Sequence, residues 1–100
     1  MEIKVTENSE IITISLEGEI DMQVTNELRE ALLENIDKNS KRIIVDFQNV
    51  DFIDSSGLAV LIEGLKISKN KDSGFELCDM KEQVKDVFNL AQLDKVFIIK

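Results

Sequence analysis

Apolar and polar residues alternate at the start of the chain, in the pattern of two β-strands. Ile3 and Val5 stand between polar neighbours, and after a turn at residues 8–9 the same two-residue period continues from Ile12 to Leu16. A period of two puts every second side chain on one face of a strand, so each strand is expected to be half-buried. The short turn between the segments predicts a hairpin whose second strand closes at Gly18.

Three later segments have apolar residues three and four positions apart, which is the spacing of one buried face on an α-helix. The apolar positions are Val24, Leu28, Ala31, Leu32 and Ile36 in the first segment, Leu58, Leu61, Ile62 and Leu65 in the second, and Val84, Val87, Phe88 and Ala91 in the third. The first helix is predicted to begin between Asp21 and Thr25. At the start of the third, Asp79 and Glu82 have the spacing of a capping box.

An apolar run without alternation, Ile43–Val45, predicts a central strand that is covered on both faces. This strand is expected to end at Phe47 in a polar bend, and short strands are predicted at residues 75–78 and 96–99. The resulting order, β-β-α-β-α-β-α-β, favours right-handed crossovers and a mixed, partly parallel β-sheet with helices. The predicted fold class is α/β, and 100 residues fit one domain, residues 1–100.

Charge and composition narrow the classes of function. The chain has 20 acidic and 12 basic residues and a net charge of -8, which repels a phosphate backbone and argues against a nucleic-acid partner. It has no histidine, tryptophan or tyrosine, and therefore lacks the commonest general base and transition-metal ligand. We expect neither an enzyme nor a cofactor or metal site.

Nothing in the sequence indicates export or membrane insertion. No apolar run is as long as a membrane span, and the first residues lack the basic-then-apolar layout of a signal peptide. The single cysteine, Cys78, cannot form an internal disulfide, in agreement with a reducing compartment. The predicted location is the cytoplasm.

The candidate chemistry lies at residues 54–57, where the sequence Asp-Ser-Ser-Gly precedes the second helix. Ser55 is expected to be the N-cap, because a serine hydroxyl can accept a hydrogen bond from a free amide of the first turn. The same amides, with the helix dipole behind them, form a favourable position for a phosphate group. The residues alone leave two roles open for Ser55, a helix cap and a site of phosphate chemistry.

Residues 54–58, which follow Val45-Asp46-Phe47 and Val50-Asp51-Phe52-Ile53, resemble the phosphorylation loop of bacterial anti-sigma factor antagonists, the small STAS-domain proteins. Gly18–Asp21 is similar to the segment that these proteins carry ahead of their first helix, and Leu90–Phe97 resembles their closing turn. The predicted element order matches the STAS fold over nearly the whole chain. Many members have small residues, often glycine, at the positions of Ala59 and Glu63, and Glu63 is larger and charged. Many members also continue into a C-terminal helix, whereas this chain stops at Lys100.

The resemblance implies a protein that switches partners. Its unphosphorylated form would bind an anti-sigma factor and release the sigma factor. The anti-sigma factor would itself be an ATP-dependent serine kinase that phosphorylates Ser55 and so ends the binding, and a serine phosphatase would reverse the step. The implied partner-binding residues are Asp21, Asp54, Ser55, Ser56 and Gly57.

Three points about these residues stay open. Ser56 is the alternative phosphorylation site, because it is the neighbouring hydroxyl. Asp21 is equally well explained as a cap of the first helix. Gly57 either lets a partner approach the backbone closely or is simply tolerated in the first turn.

Two other functions are compatible with parts of the sequence. A phospho-aspartate receiver would use Asp46 or Asp54 with Mg²⁺, and Asp51 could complete a cluster of oxygen ligands, but the opening hairpin disfavours this topology. A STAS subunit of a transport or stress-signalling complex would keep the fold and bind a partner protein or a small anion at the start of the second helix.

Overall fold

The computed structural model describes residues 1–100 and confirms the predicted order of elements. The elements are β1 (Glu2–Asn8), β2 (Ile11–Ile20), α1 (Thr25–Ile36), β3 (Arg42–Ile53), α2 (Ser55–Asn70), β4 (Gly74–Cys78), α3 (Glu82–Leu90) and β5 (Ile98–Ile99). The five strands form one sheet in the order β1-β2-β3-β4-β5. Strands β1 and β2 pair antiparallel, as the predicted hairpin requires, and every other pair is parallel with a helix in its connection. The predicted mixed α/β fold is therefore confirmed.

The hydrophobic core lies on one face of the sheet, because alternate strand residues are buried. In the sheet register, Ile12 lies beside Ile43 and Ile43 beside Phe75, and all three are buried. Helices cover this face: Gly64 of α2 packs against the Phe75 ring and against Leu32 of α1. On α3, the Phe88 ring meets the Phe47 ring edge-on, with their centroids 6.2 Å apart.

The opposite face of the sheet is not covered by a helix. Ile44 and Asp46 of β3 are only partly buried, although their neighbours Val45 and Phe47 are fully buried. The expectation that the central strand is covered on both faces is therefore wrong. Buried and partly exposed residues in fact alternate along this strand. The sequence does not show this alternation, because the outward position is occupied by the apolar residue Ile44.

Two strands are longer than the sequence predicted. Strand β3 continues past Phe47 to Ile53, because its second half pairs with the end of β2 through to the pair Ile20 and Ile53. Strand β2 likewise does not close at Gly18 but runs on to Ile20. Gly18 has φ +116°, which glycine adopts without strain, and the register with β3 shifts beside it. The glycine therefore marks a bulge inside the strand rather than its end.

Two predicted features near the end of the chain are also corrected. The N-cap of α3 is Lys81, without a side-chain cap, so Asp79 and Glu82 do not form a capping box. Asp79 instead has φ +58° and its amide donates to the Lys100 carbonyl. The last strand contains only Ile98 and Ile99 rather than four residues. None of the three helices has both the length and the apolar character needed to cross a membrane.

An ion cluster on the uncovered face connects the last three strands. Arg42 of β3 donates two hydrogen bonds to the Glu76 carboxylate, Nε to Oε2 at 2.9 Å and Nη2 to Oε1 at 2.8 Å. The Lys100 ammonium lies 3.1 Å from Glu76 Oε1. Glu76 is buried, and the hydrogen bonds from Arg42, followed by that from Lys100, hold its pKa below the ordinary value. The carboxylate therefore stabilises the fold in its charged form.

Glu76→Gln is expected to lower the free energy of unfolding by about 2 kcal/mol at neutral pH, since charge-assisted hydrogen bonds are lost. Because the pKa is lowered in the folded state, this contribution is present above the ordinary pKa of 4.5 and disappears as the pH falls through the folded value. Urea unfolding at several pH values measures it. Glu10→Gln is the control, because the Glu10 and Lys41 side chains are exposed. Equal effects of the two substitutions would contradict the assignment.

Candidate functional site

The candidate site lies where β2 and β3 end together and α2 begins. Ile20 and Ile53 are partners in the register, and the Asp54 amide donates to the Ile20 carbonyl at 3.0 Å. Asp21 and Asp54 each follow one of these paired residues. The fold therefore brings Asp21 to the same edge of the sheet as residues 54–57, although more than thirty positions of sequence separate them.

Asp54, and not Ser55, is the N-cap of α2. Its backbone is extended, with φ -108° and ψ -176°, and its Oδ1 accepts from the amides of Ser56 at 3.0 Å and Gly57 at 3.2 Å. Oδ1 also accepts from the Ser56 hydroxyl at 2.5 Å. The Ser56 hydroxyl is the main cause that lowers the pKa of Asp54, and the amides add to it. The predicted cap was displaced by one residue, because aspartate and serine are about equally good caps.

The two serines are in different situations. Ser56 is partly buried and its hydroxyl donates to Asp54. Ser55 is the first residue of α2, is exposed, and takes no part in this hydrogen-bond network. Of the two hydroxyls that the sequence left as alternatives, that of Ser55 is the one accessible to another protein.

Gly57 is buried and faces the sheet. A Cβ atom at this position would lie 2.6 Å from Ile20 Cγ2 and 2.8 Å from Ile53 Cγ1, which is closer than carbon atoms approach. The glycine therefore lets α2 begin directly against the ends of β2 and β3. Neither sequence interpretation of Gly57 included this role, because it depends on residues that only the fold brings together.

Asp21 stabilises a turn rather than a helix. Its Oδ1 accepts from the Gln23 amide at 3.0 Å, and its carbonyl accepts from the Val24 amide at 3.1 Å. Helix α1 begins at Thr25, with Val24 as an N-cap that has no side-chain hydrogen bond. The interpretation of Asp21 as the cap of the first helix is therefore wrong.

Two exposed apolar side chains beside the site were missed. Met22, which follows Asp21, is 74% exposed, and Phe52, which precedes Ile53, is 46% exposed. Exposed large apolar side chains are enriched at protein-binding surfaces. Their signal in the sequence is weak, because Met22 lies outside the apolar stripe of α1 and Phe52 follows the predicted end of β3.

The aspartates of the receiver hypothesis are not gathered into one cluster. Asp46 accepts from the Gln48 amide, Asp51 forms an ion pair with Lys81 at the start of α3, and Asp54 caps α2. The structure gives this hypothesis no support.

One other group has metal-ligand chemistry. Ligand atoms of Asp46, Cys78 and Asp79 lie within 4.8 Å of one another at the ends of β3 and β4. Burial, with the nearby charges of Asp46 and Asp79, raises the pKa of Cys78 to about 11. Acidic groups near a surface often lie this close together without a metal, so the cluster by itself does not define a metal site.

The family of the chain follows from its match to known proteins. The family model of the STAS domain matches residues 2–100. The chain belongs to the STAS domain family. The match extends far beyond residues 54–58, whose resemblance first indicated this family, and the predicted family is confirmed.

Two proteins similar to this chain are named anti-sigma factor antagonists. The anti-sigma F factor antagonist of Paenibacillus polymyxa is 25% identical over 99% of this chain and 86% of that protein. The structure of an anti-sigma factor antagonist from Mycobacterium paratuberculosis has a TM-score of 0.90 at 24% identity, and the match covers 98% of this chain and 83% of that one.

A third similar protein, the anti-sigma factor antagonist SpoIIAA, has structures in an unphosphorylated and a phosphorylated form. Its unphosphorylated form has a TM-score of 0.83 at 21% identity, over 99% of this chain and 88% of that one. Its phosphorylated form, from Bacillus, has a TM-score of 0.75 at 20% identity, over 99% and 91%. These structures show that the STAS fold is shared.

Replacement of Asp54, the N-cap of α2, tests the geometry of residues 54–57. Asp54→Ala is expected to lower the free energy of unfolding by about 1 kcal/mol, because two amides of α2 lose their acceptor. Because the pKa of Asp54 is lowered in the folded protein, its contribution to stability is present above the ordinary pKa of 3.8. That contribution is lost as the pH falls through the pKa of the folded state. Thermal unfolding measures the change. Asp54→Asn, which keeps the accepting oxygen, is the control, and equal losses in both variants would contradict the capping role.

Proposed function

We propose that this protein is an anti-sigma factor antagonist. Its unphosphorylated form binds an anti-sigma factor and so releases the sigma factor, and phosphorylation of Ser55 ends the binding. The observation that carries the proposal is the exposed Ser55 hydroxyl at the start of α2 in a STAS fold. The similar proteins that bear the name of antagonist support it.

Ser55 is the proposed phosphorylation site because a kinase must reach the hydroxyl that it modifies. Ser55 meets that requirement, whereas Ser56 is partly buried and its hydroxyl is engaged with Asp54. Phosphorylation of Ser56 would also break its contact with the capping carboxylate and place two negative groups against each other. Ser55 can accept the group without loss of the cap.

The effect of the phosphate is proposed to fall on the partner rather than on the fold. A phosphate adds about -1.5 to -2 charge units. The start of a helix favours such a group by roughly 0.3–1 kcal/mol, and the neighbouring Asp54 carboxylate opposes it by a comparable amount. These internal effects nearly cancel. At a protein interface, a misplaced like charge costs several kcal/mol, so binding is where the charge acts.

The proposed binding surface combines polar and apolar groups around Ser55. Asp54 and Ser56 adjoin Ser55 at the start of α2, and Asp21 lies at the same end of the paired strands β2 and β3. Met22, which follows Asp21, is an exposed apolar side chain at this end and supplies an apolar contact. Gly57 is buried and does not contact the partner; it contributes by letting α2 pack closely against the ends of β2 and β3.

In this proposal the chain is a binding protein and the substrate of an enzyme, and residues 1–100 act as a single STAS domain in the cytoplasm. The anti-sigma factor is itself an ATP-dependent serine kinase. A serine phosphatase restores the unphosphorylated state, and the chain needs no cofactor of its own.

Reconstitution tests the proposal directly. The purified protein is mixed with an anti-sigma factor kinase from the same organism and Mg-ATP, and phosphate transfer is followed by intact mass. Transfer to wild type and to Ser56→Ala, but not to Ser55→Ala, is the expected result. Transfer to Ser55→Ala with loss in Ser56→Ala would overturn the assignment of the serine. Neither binding nor transfer with any such kinase would overturn the function.

A further inference from the structure

A second feature lies on the same helix face as Ser55. Ser55, Ala59 and Glu63 are four positions apart, so they form one row along α2. Ser55 and Ala59 are exposed, and the Glu63 side chain is 41% exposed. The row therefore continues the candidate site along the helix for two turns.

Glu63 is joined across the two helices to α1. The Arg29 Nε donates to Glu63 Oε1 at 2.8 Å, and Arg29 Nη1 donates to Asn26 Oδ1 at 3.2 Å. The Arg29 side chain is 42% exposed. The pair thus presents a cation on the α1 side and an anion on the α2 side of one surface, and each group keeps atoms that can bond outward.

The position of this pair falls inside any protein interface of ordinary size that is centred on Ser55. Eight residues of α-helix span about 12 Å along the axis. A standard interface covers roughly 800 Å² on each partner, which corresponds to a disc of about 16 Å radius. A partner whose interface is centred on Ser55 and extends along this face of α2 therefore also covers Arg29 and Glu63, and removes water from both.

We infer that the Arg29–Glu63 pair is a specificity determinant read by the partner. This inference rests on the proposed function, and it adds the chemistry of the partner surface. The partner places an acidic group against Arg29 and a basic group against Glu63, because a covered charge needs partners for the donor and acceptor atoms that the internal hydrogen bonds leave free. A partner with the opposite arrangement of charges is rejected, since like charges would meet at both positions.

The alternative is that the pair only holds α1 against α2. The two roles are separable by reversing the pair. In the double variant Arg29→Glu with Glu63→Arg, an internal ion pair of the same kind is retained, but the anion now lies on α1 and the cation on α2. A purely structural pair would tolerate this exchange, whereas a partner that reads the charges would not.

The experiment measures the affinity of the anti-sigma factor for wild type and for the double variant by isothermal titration calorimetry. The expected result is a loss of at least about tenfold in affinity, with an unchanged unfolding midpoint. The matched control is the reversal of another ion pair, Lys38→Glu with Glu7→Lys. The Lys38 and Glu7 side chains are 49% and 54% exposed. They lie at the ends of α1 and of the strands that are farthest from Ser55, so this control variant is expected to bind the anti-sigma factor as tightly as wild type.

The outcomes are distinct from those of the proposed function. If the double variant binds as tightly as wild type while Ser55→Asp still abolishes binding, the inference is overturned and the function stands. If wild type itself does not bind, the proposed function fails, and the inference fails with it. If the double variant is destabilised, the charge-neutral pair Arg29→Gln with Glu63→Gln replaces it, and unchanged affinity in that pair overturns the inference.

Discussion

Replacement of Ser55 by aspartate is expected to weaken binding to the anti-sigma factor more than a hundredfold, whereas Ser55→Ala keeps an affinity close to that of wild type. Ser55 is exposed at the start of α2, so a carboxylate there points at the partner. The lowered pKa of Asp54 keeps that neighbour ionised, and the new charge adds to it. A misplaced like charge at an interface costs several kcal/mol, and about 3 kcal/mol already exceeds a hundredfold.

Calorimetric titration measures this loss, and amide spectra show whether its cause is local. Chemical-shift changes confined to residues 50–66 are expected for Ser55→Asp, because the charge acts on the partner and not on the packing. Changes spread over the sheet would indicate refolding and contradict the local mechanism. Equal affinities of Ser55→Asp and Ser55→Ala would contradict a switch at this position.

The second large effect is expected at Gly57. Gly57→Ala should lower the free energy of unfolding by about 1–3 kcal/mol, because its Cβ would lie 2.6 Å from Ile20 Cγ2 and 2.8 Å from Ile53 Cγ1. These carbons belong to β-branched, buried side chains that have little freedom to move. The start of α2 must shift away from the strands, which also displaces Ser55, so partner affinity falls together with stability.

Gly64→Ala in the same helix is the matched control. Alanine favours helix over glycine by about 1 kcal/mol. At Gly64 the added Cβ would lie 3.3 Å from the Phe75 ring and 3.4 Å from Leu32 Cδ1, a much milder contact than at Gly57. Thermal unfolding should therefore show a far larger loss for Gly57→Ala. A Gly57→Ala protein as stable as Gly64→Ala would show that the strand ends yield, and the tight packing at residue 57 would be contradicted.

The order of elements was predictable because burial of one face of a strand or helix requires apolar residues at regular intervals in the sequence. Every second residue of β2 from Ile12 to Leu16 is buried, and Leu28, Leu32 and Ile36 form the buried face of α1. Such periods are properties of single elements. They can be read without knowledge of what each element packs against.

The ends of the strands were not predictable, because they depend on pairing. Residues 48–52 look like a polar bend in sequence, but β3 continues there since the end of β2 supplies its hydrogen-bond partners. Gly18 looks like a strand end, but its positive φ fits a bulge within β2. In both places the fold outweighed the local preference of the residues.

The start of α2 is predicted from the sequence, whereas the contacts of the residues around it are not. The order of residues 54–57 indicates a helix start, but it predicts the cap at Ser55 instead of Asp54, because both residue types cap helices well. The packing of Gly57 against Ile20 and the bond between Arg29 and Glu63 join residues at least 34 positions apart. A single sequence contains no signal for such contacts.

The central claim is that Ser55 carries the switch, and phosphopeptide mapping of the protein isolated from its native cells tests it most directly. Wild type and Ser55→Ala are digested, and the peptide that contains residues 54–56 is sequenced by mass spectrometry. The account predicts an acid-stable phosphate on Ser55 that is absent from the variant. A phosphate on Ser56 or on an aspartate, or no phosphate under any growth condition, would contradict it.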